Sequence, residues 1–154
     1  MGASGDRSFW GESEHSVDDK GRLILPKEYR ALLGDECVLA RGPDHVVLIF
    51  GSAVWSQLEA RLYGDVLGSP SRIMQRLFSS RQAVRIDARA RLSIPKVLRD
   101  WANIELNDRV ILLGQGRSIE VWSKKNWDEY QQTFTAANTL EAAAQLGLGD
   151  LFKL

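Results

Sequence analysis

Residues 17–30 run Val17-Asp-Asp-Lys-Gly-Arg-Leu-Ile-Leu-Pro-Lys-Glu-Tyr-Arg30, and residues 86–99 run Ile86-Asp-Ala-Arg-Ala-Arg-Leu-Ser-Ile-Pro-Lys-Val-Leu-Arg99. At a constant offset of 69, Asp18, Arg22, Leu23, Pro26, Lys27 and Arg30 return as Asp87, Arg91, Leu92, Pro95, Lys96 and Arg99. Ile24 gives way to the polar Ser93. A repeat of this length means one structural unit used twice.

Working outward, each copy reads as strand, turn, strand, helix. Residues 13–18 and 22–25 carry apolar positions on either side of Asp18-Asp-Lys-Gly21, with Gly21 available for a positive φ. Pro26 opens a helix over 27–33, where its missing N–H costs nothing, and Gly34 can cap that helix in the left-handed conformation. Residues 36–40 and 45–50 are β-rich runs joined by the turn residues 41–44. Ser52 is placed to cap a helix ending near Leu62, with Trp55, Leu58 and Leu62 on one face. A helix or turn within 72–78 follows, and then the order repeats. Strands are expected over 82–88, 91–94, 109–113 and 118–122, with helices over 95–101 and 123–134. Gly42/Gly114 and Trp55/Trp127 match at an offset of 72, so the second half has gained three residues near 103–107.

The expected class is therefore α+β: two pseudo-symmetric ββαββα repeats. Residues 1–8 read as a disordered extension, 9–64 as the first repeat, 65–80 as a connector, 81–134 as the second repeat. Residues 135–154 read as a helical tail, broken by Gly147 and Gly149, that docks on the body or on a neighbouring subunit. Phe9-Trp10-Gly11 supplies an aromatic anchor at the start.

Charge narrows the function. The net charge is zero, but residues 69–99 hold 8 basic and 1 acidic side chains, about +7, against −4 before them and −3 after. Electrostatic steering follows such local fields rather than the total. A solvated basic face is the alternative reading. The single Cys37 favours a reducing compartment, and the longest apolar run, Val46–Phe50, cannot span a bilayer. A cytoplasmic protein without membrane contact is expected.

Signals for catalysis are few. His15 and His45 have no neighbour at metal-ligand spacing. Cys37 sits in an apolar strand as an inert buried thiol. Gly114-Gln-Gly116 lacks the third glycine and following helix of a dinucleotide loop and suits a hairpin turn. The tryptophans at 55, 101, 122 and 127 fall on apolar faces. No nucleophile is assembled with its base, and neither metal nor cofactor is expected.

The repeated Asp-x-x-x-Arg is the feature that can carry function. At a strand tip the Asp carboxylate can accept backbone N–H bonds that hold the turn. The Arg four residues on offers a planar fork suited to phosphate or to guanine O6 and N7. Lys20 and Arg89 ride on the same tips. The alternative is an Asp18–Arg22 or Asp87–Arg91 ion pair that only ties the loop, and the two roles are compatible.

On these residues, with Arg41-Gly-Pro43, Arg81-Gln-Ala83 and Glu120-Val-Trp-Ser-Lys-Lys-Asn-Trp127, the chain resembles the MraZ family over about residues 9–130. That resemblance implies an AbrB-like swapped-hairpin β-barrel core with peripheral helices. It implies a transcriptional regulator of the nucleoid that binds repeated double-stranded DNA boxes upstream of a division and cell-wall gene cluster. It further implies a homo-oligomeric ring of eight or more subunits whose signature hairpins contact DNA. The residues it marks are Asp18, Lys20, Gly21, Arg22, Asp87 and Arg91, to which the local cations Lys27, Arg89 and Lys96 are added. Where the family's second copy commonly has Gly, this chain has Ala90. Alanine accepts positive φ poorly, so the second turn is expected to differ in shape or to carry strain, and the first tip becomes the favoured DNA contact. A protein–protein scaffold or antitoxin-like module is the alternative function.

Overall fold

The computed structural model of the chain describes residues 8–64 and 68–152. Most of the expected N-terminal extension (1–7), part of the connector (65–67) and the end of the tail (153–154) lie outside the described residues. Strand β1 (Glu12–Ser16) leads through the first tip to β2 (Arg22–Ile24), α1 (Lys27–Leu33), β3 (Glu36–Gly42), β4 (Val46–Gly51) and α2 (Ser52–Leu62). After α3 (Ser69–Leu77) and a 3-10 turn (Phe78–Ser80), the order returns. It runs β5 (Gln82–Arg85), β6 (Arg91–Ser93), α4 (Lys96–Trp101), β7 (Arg109–Gly114), β8 (Ile119–Ser123) and α5 (Lys124–Gln131).

The two halves exchange strands. A six-stranded antiparallel sheet runs β1-β7-β8-β4-β3-β5, and β2 pairs with β6 in a separate two-stranded ribbon. Reading the sheet backwards and swapping the halves gives the same order, so the chain carries a pseudo-twofold axis. The first strand of each half lies on the third strand of the other. Val17 N–H donates to Asp108 O at 2.9 Å, and Ile86 N–H donates to Asp35 O at 2.9 Å. In the ribbon Arg22 faces Ser93, Leu23 faces Leu92 and Ile24 faces Arg91. The hairpins are thus swapped within one chain.

Alternation explains what this exchange buries. Leu23, Leu25, Leu92 and Ile94 turn inward with Val17 and Ile86, meeting Leu39, Ile49, Leu112 and Ile119 from the sheet in one core. Burying side chains of this size stabilises by about 1.5–3 kcal/mol each. Neither hairpin could bury its apolar face alone, so the two tips are held in place by each other's half.

Local expectations meet the structure with small differences. Gly34 takes φ +80 with ψ −143, outside the left-handed helical region, and its N–H still closes on Arg30 O. Ser52 does not cap α2; Gly51 stands at that position without a side-chain bond. The strand after the first loop begins at Val46, because His45 takes φ +57 in the turn and stacks on Trp101 at 4.1 Å. The strand expected over 82–88 ends at Arg85. Phe9 is buried edge-on to Tyr29, whereas Trp10 is exposed. Gly114 lies so close to the incoming chain that a Cβ there would stand 2.4 Å from Trp10 N.

The chain divides into two units, one ending at Lys124 and the other starting at Lys125. In the second unit Trp127, Tyr130 and Phe134 pack ring on ring, with centroids 5.3–6.1 Å apart. Thr135 caps α6 (Ala136–Gln145) by accepting the Asn138 N–H. A 3-10 turn, Gly149–Phe152, follows.

Candidate nucleic-acid interface

The two Asp-x-x-x-Arg tips are built alike. Asp18 Oδ1 accepts the backbone N–H of Lys20 at 2.9 Å and of Arg22 at 2.8 Å, and Arg22 Nε donates to Oδ2 at 2.8 Å. Asp87 does the same, taking the N–H of Arg89 and Arg91 at 2.9 Å each and Arg91 Nε at 2.8 Å. The Gly21 N–H closes on Asp18 O and the Ala90 N–H on Asp87 O. Each carboxylate thereby satisfies a turn in which these donors have no other acceptor among the described residues. The backbone N–H of Arg22, with further bonds from Lys20 and the Arg22 side chain, holds the Asp18 carboxyl down at about 2. Asp87 is shifted the same way, first by the Arg91 N–H.

Ala90 does not change this shape. It takes φ +60 where Gly21 takes φ +78, and both turns close on the same bonds. The expected difference in shape is absent; the backbone strain remains, at about 1–2 kcal/mol for a side chain in this region. Exchange between halves helps to enforce it. Leu25 N–H donates to Ala90 O at 2.8 Å and Ile94 N–H donates to Gly21 O at 2.9 Å. A residue whose carbonyl is fixed by the opposite strand cannot relax its φ without breaking the ribbon.

The difference between tips lies in the arginines behind them. Arg99 passes across Gly21, where a Cβ would meet its Nε at 3.0 Å, and donates to Ile94 O. Its counterpart Arg30 instead bonds Gly34 O and Asp35. Ala90 carries the methyl that Gly21 lacks, so the space behind the second tip is partly filled.

Of the expected site residues, the structure brings together Asp18, Lys20, Gly21 and Arg22 on one tip and Asp87, Arg89 and Arg91 on the other. Lys20 and Arg89 are exposed, and neither makes an ion pair among the described residues. Arg22 and Arg91 do not project freely: each is tied through Nε, with about 28% and 27% of its side chain exposed. Their Nη atoms make no hydrogen bond among the described residues, so each still presents a two-donor edge. Lys27 and Lys96 stand at the starts of α1 and α4, and Lys96 pairs with Asp100 at 2.8 Å. Tip charge also differs. Asp18, Asp19, Lys20 and Arg22 sum to zero, whereas Asp87, Arg89 and Arg91 sum to +1.

From the bond of Ile94 N–H to Gly21 O to that of Leu25 N–H to Ala90 O, the ribbon spans four residue steps, roughly 13 Å at 3.3 Å per residue, and Lys20 and Arg89 stand in the turns just beyond its two ends. Between them the ribbon's outward face carries Arg22, Ile24, Arg91 and Ser93. Ile24 and Ser93 were not among the expected site residues. The alternation that buries Leu23 and Leu25 places them outside.

Two of the sequence matches outside the tips turn out to be braces. Arg41 Nε donates to Leu77 O and Ser80 Oγ, its Nη2 to Arg76 O, and its guanidinium lies 5.7 Å from the Trp101 ring. Arg81 pairs with Glu59 at 3.0 Å over the face of Trp55. Together they fix the approach of the chain to the second tip. Among the described residues no group of His, Cys, Asp or Glu could hold a metal, and burial pushes the Cys37 thiol up to about 12. No helix among them is long and apolar enough to cross a membrane.

Two repeats with exchanged hairpins, each ending in an Asp-tied turn on a shared ribbon, define a two-repeat AbrB-like swapped-hairpin protein. The chain belongs to the MraZ family: the family model described as "MraZ protein, putative antitoxin-like" matches residues 8–68 and 77–148. The chain is 36% identical over 143 residues to a protein of Halothermothrix orenii, covering 92% of this chain and 99% of that one. It is 35% identical over 144 residues to one from Acetivibrio thermocellus (91% and 99%) and 37% over 145 residues to one from Oenococcus oeni (93% and 99%). All three are named "Transcriptional regulator MraZ".

Proposed function

We propose that the chain is a sequence-specific DNA-binding transcriptional regulator without catalytic activity. In this reading it acts on repeated boxes upstream of a division and cell-wall gene cluster. The observation that carries it is the pair of preorganised tips, each with an exposed cation and a two-donor arginine edge, at opposite ends of one ribbon. Order already in place costs no entropy on binding. Lys20 and Arg89, with Lys27 and Lys96 behind them, would meet phosphates. The Nη edges of Arg22 and Arg91 would meet phosphate or guanine.

A net-neutral chain with so few cations at its tips binds weakly at physiological salt, so affinity requires several copies on one duplex. A ring of eight or more subunits would supply them, and Leu140, Leu146 and Leu151, all exposed on the tail, support self-association. The same leucines favour the second reading, a protein–protein scaffold or antitoxin-like module. Competition by unlabelled random DNA separates the two, since a scaffold shows no site preference.

The test measures anisotropy of a labelled duplex carrying the boxes against a scrambled duplex, across salt. Lys20→Ala with Arg89→Ala should flatten the log–log salt slope by about 2 and weaken both duplexes alike. Arg22→Ala and Arg91→Ala should each cost on the order of 1–3 kcal/mol on the boxes alone. Because the tips share one geometry, their losses should be comparable. Retention of specific affinity with an unchanged slope in both arginine variants overturns the assignment.

A further inference from the structure

Ile24 is a large apolar side chain, 59% exposed, at the middle of the outward ribbon face. It lies directly opposite Arg91 and two residues along the strand from Arg22. Both arginines are tied back to their aspartates, so neither folds over it. An isolated exposed isoleucine means little, but this one is flanked on both sides by the cationic tips. Its surroundings are unsuited to the core of a protein interface, where charged residues are depleted. They suit a polyanion whose interior offers apolar groups.

Duplex DNA has one such group in its major groove, the thymine C5-methyl. That groove is about 12 Å wide and admits a two-stranded β-ribbon. With roughly 13 Å of ribbon between its closing bonds and Lys20 and Arg89 in the turns beyond them, a ribbon lying in the groove sets its tips toward the phosphate rims and its middle against the base edges. The pseudo-twofold axis places Ser93 where the other half has Ile24. The two halves therefore present different groups to otherwise equivalent bases.

We infer that Ile24 is a specificity residue that packs against a thymine methyl, and that Ser93 withholds this contact from the other half. This rests on the DNA-binding reading above and deepens it: the ribbon reads one thymine on one side of its axis and so distinguishes the two orientations of a site.

The experiment starts from a duplex selected out of a random library by the full wild-type chain. Each thymine is then replaced in turn by uracil, which removes only the methyl. One position, on one side of the site, should lose about fourfold in affinity, the equivalent of one buried methyl at about 0.8 kcal/mol. Ile24→Ser should bind the uracil duplex as wild type does and lose its preference for thymine. Ser93→Ile should gain a thymine preference at the position related by the axis. Both residues are exposed, so thermal melting should move little and serves as the folding control.

If uracil costs nothing at any position, or costs Ile24→Ser as much as wild type, the inference fails while DNA binding stands. If Ile24→Ser alters the mass of the native assembly with base preference unchanged, Ile24 is a self-association residue and the inference fails. If the wild-type chain selects no sequence at all, the DNA-binding reading fails and takes this inference with it.

Discussion

Ala90 at φ +60 gives a paired test of how the two tips are held. Ala90→Gly removes about 1–2 kcal/mol of backbone strain and adds about 0.4–1 kcal/mol of unfolded-state entropy. The net expectation is a stabilisation of roughly 0.5–1 kcal/mol, or about 2 °C in Tm for a chain of this size. Gly21→Ala runs the same exchange in reverse and meets a second cost. Its Cβ would stand 3.0 Å from Arg99 Nε, so the donor that bonds Ile94 O must give by a few tenths of an ångström. Weakening that bond adds a part of its worth of about 0.5–1.5 kcal/mol, for a total destabilisation of about 1 kcal/mol or more. Differential scanning calorimetry at one fixed protein concentration measures both, the fixed concentration being needed because assembly shifts Tm. Opposite signs are required. If Ala90→Gly fails to raise Tm, or if the two variants shift it the same way, the second turn is not strained and the comparison of the tips is wrong.

Two further outcomes are expected. Arg41→Ala strips the donors from Arg76 O, Leu77 O and Ser80 Oγ at once, at a cost of about 2 kcal/mol, and hydrogen exchange should quicken over residues 76–85; an unchanged Tm would show that water replaces it. Asp18 should titrate near pH 2 by carboxyl carbon shift, below the ordinary 3.8, because the Arg22 N–H holds its charged form. The folded value is the lower one, so the turn's contribution is complete above about pH 4 and is lost as pH falls toward 2. A midpoint at the ordinary value would mean that the Asp18 bonds do not persist in solution.

Much of this was legible in the residues. The turn of each tip is written within five residues, since Asp accepts the N–H groups two and four positions on. Such short-range bonds depend on little else. The helix after Pro26 and the in-and-out alternation of Leu23, Ile24 and Leu25 are equally local. For Arg22 and Arg91 the residues allow both a projecting fork and an ion pair that ties the loop, two compatible roles; the structure has the ion pair formed through Nε and most of each side chain covered. A side chain with an acceptor four residues back satisfies it before reaching for anything outside the chain.

The sequence by itself determined the unit, its repetition, the Asp-tied turns and the family. Each of these is held by short-range bonds or periodicity, which carry over from residue order to structure. Only the tertiary structure decided that the hairpins exchange between halves. A strand with one apolar face is buried equally well on its own half's sheet or on the other's, so local pattern cannot choose between them. That exchange fixes Ala90 in a conformation alanine avoids. It lays Arg99 but not Arg30 behind a tip, brings Arg41 to carbonyls 35 and 36 residues away, and joins two remote turns into one ribbon with Ile24 at its centre.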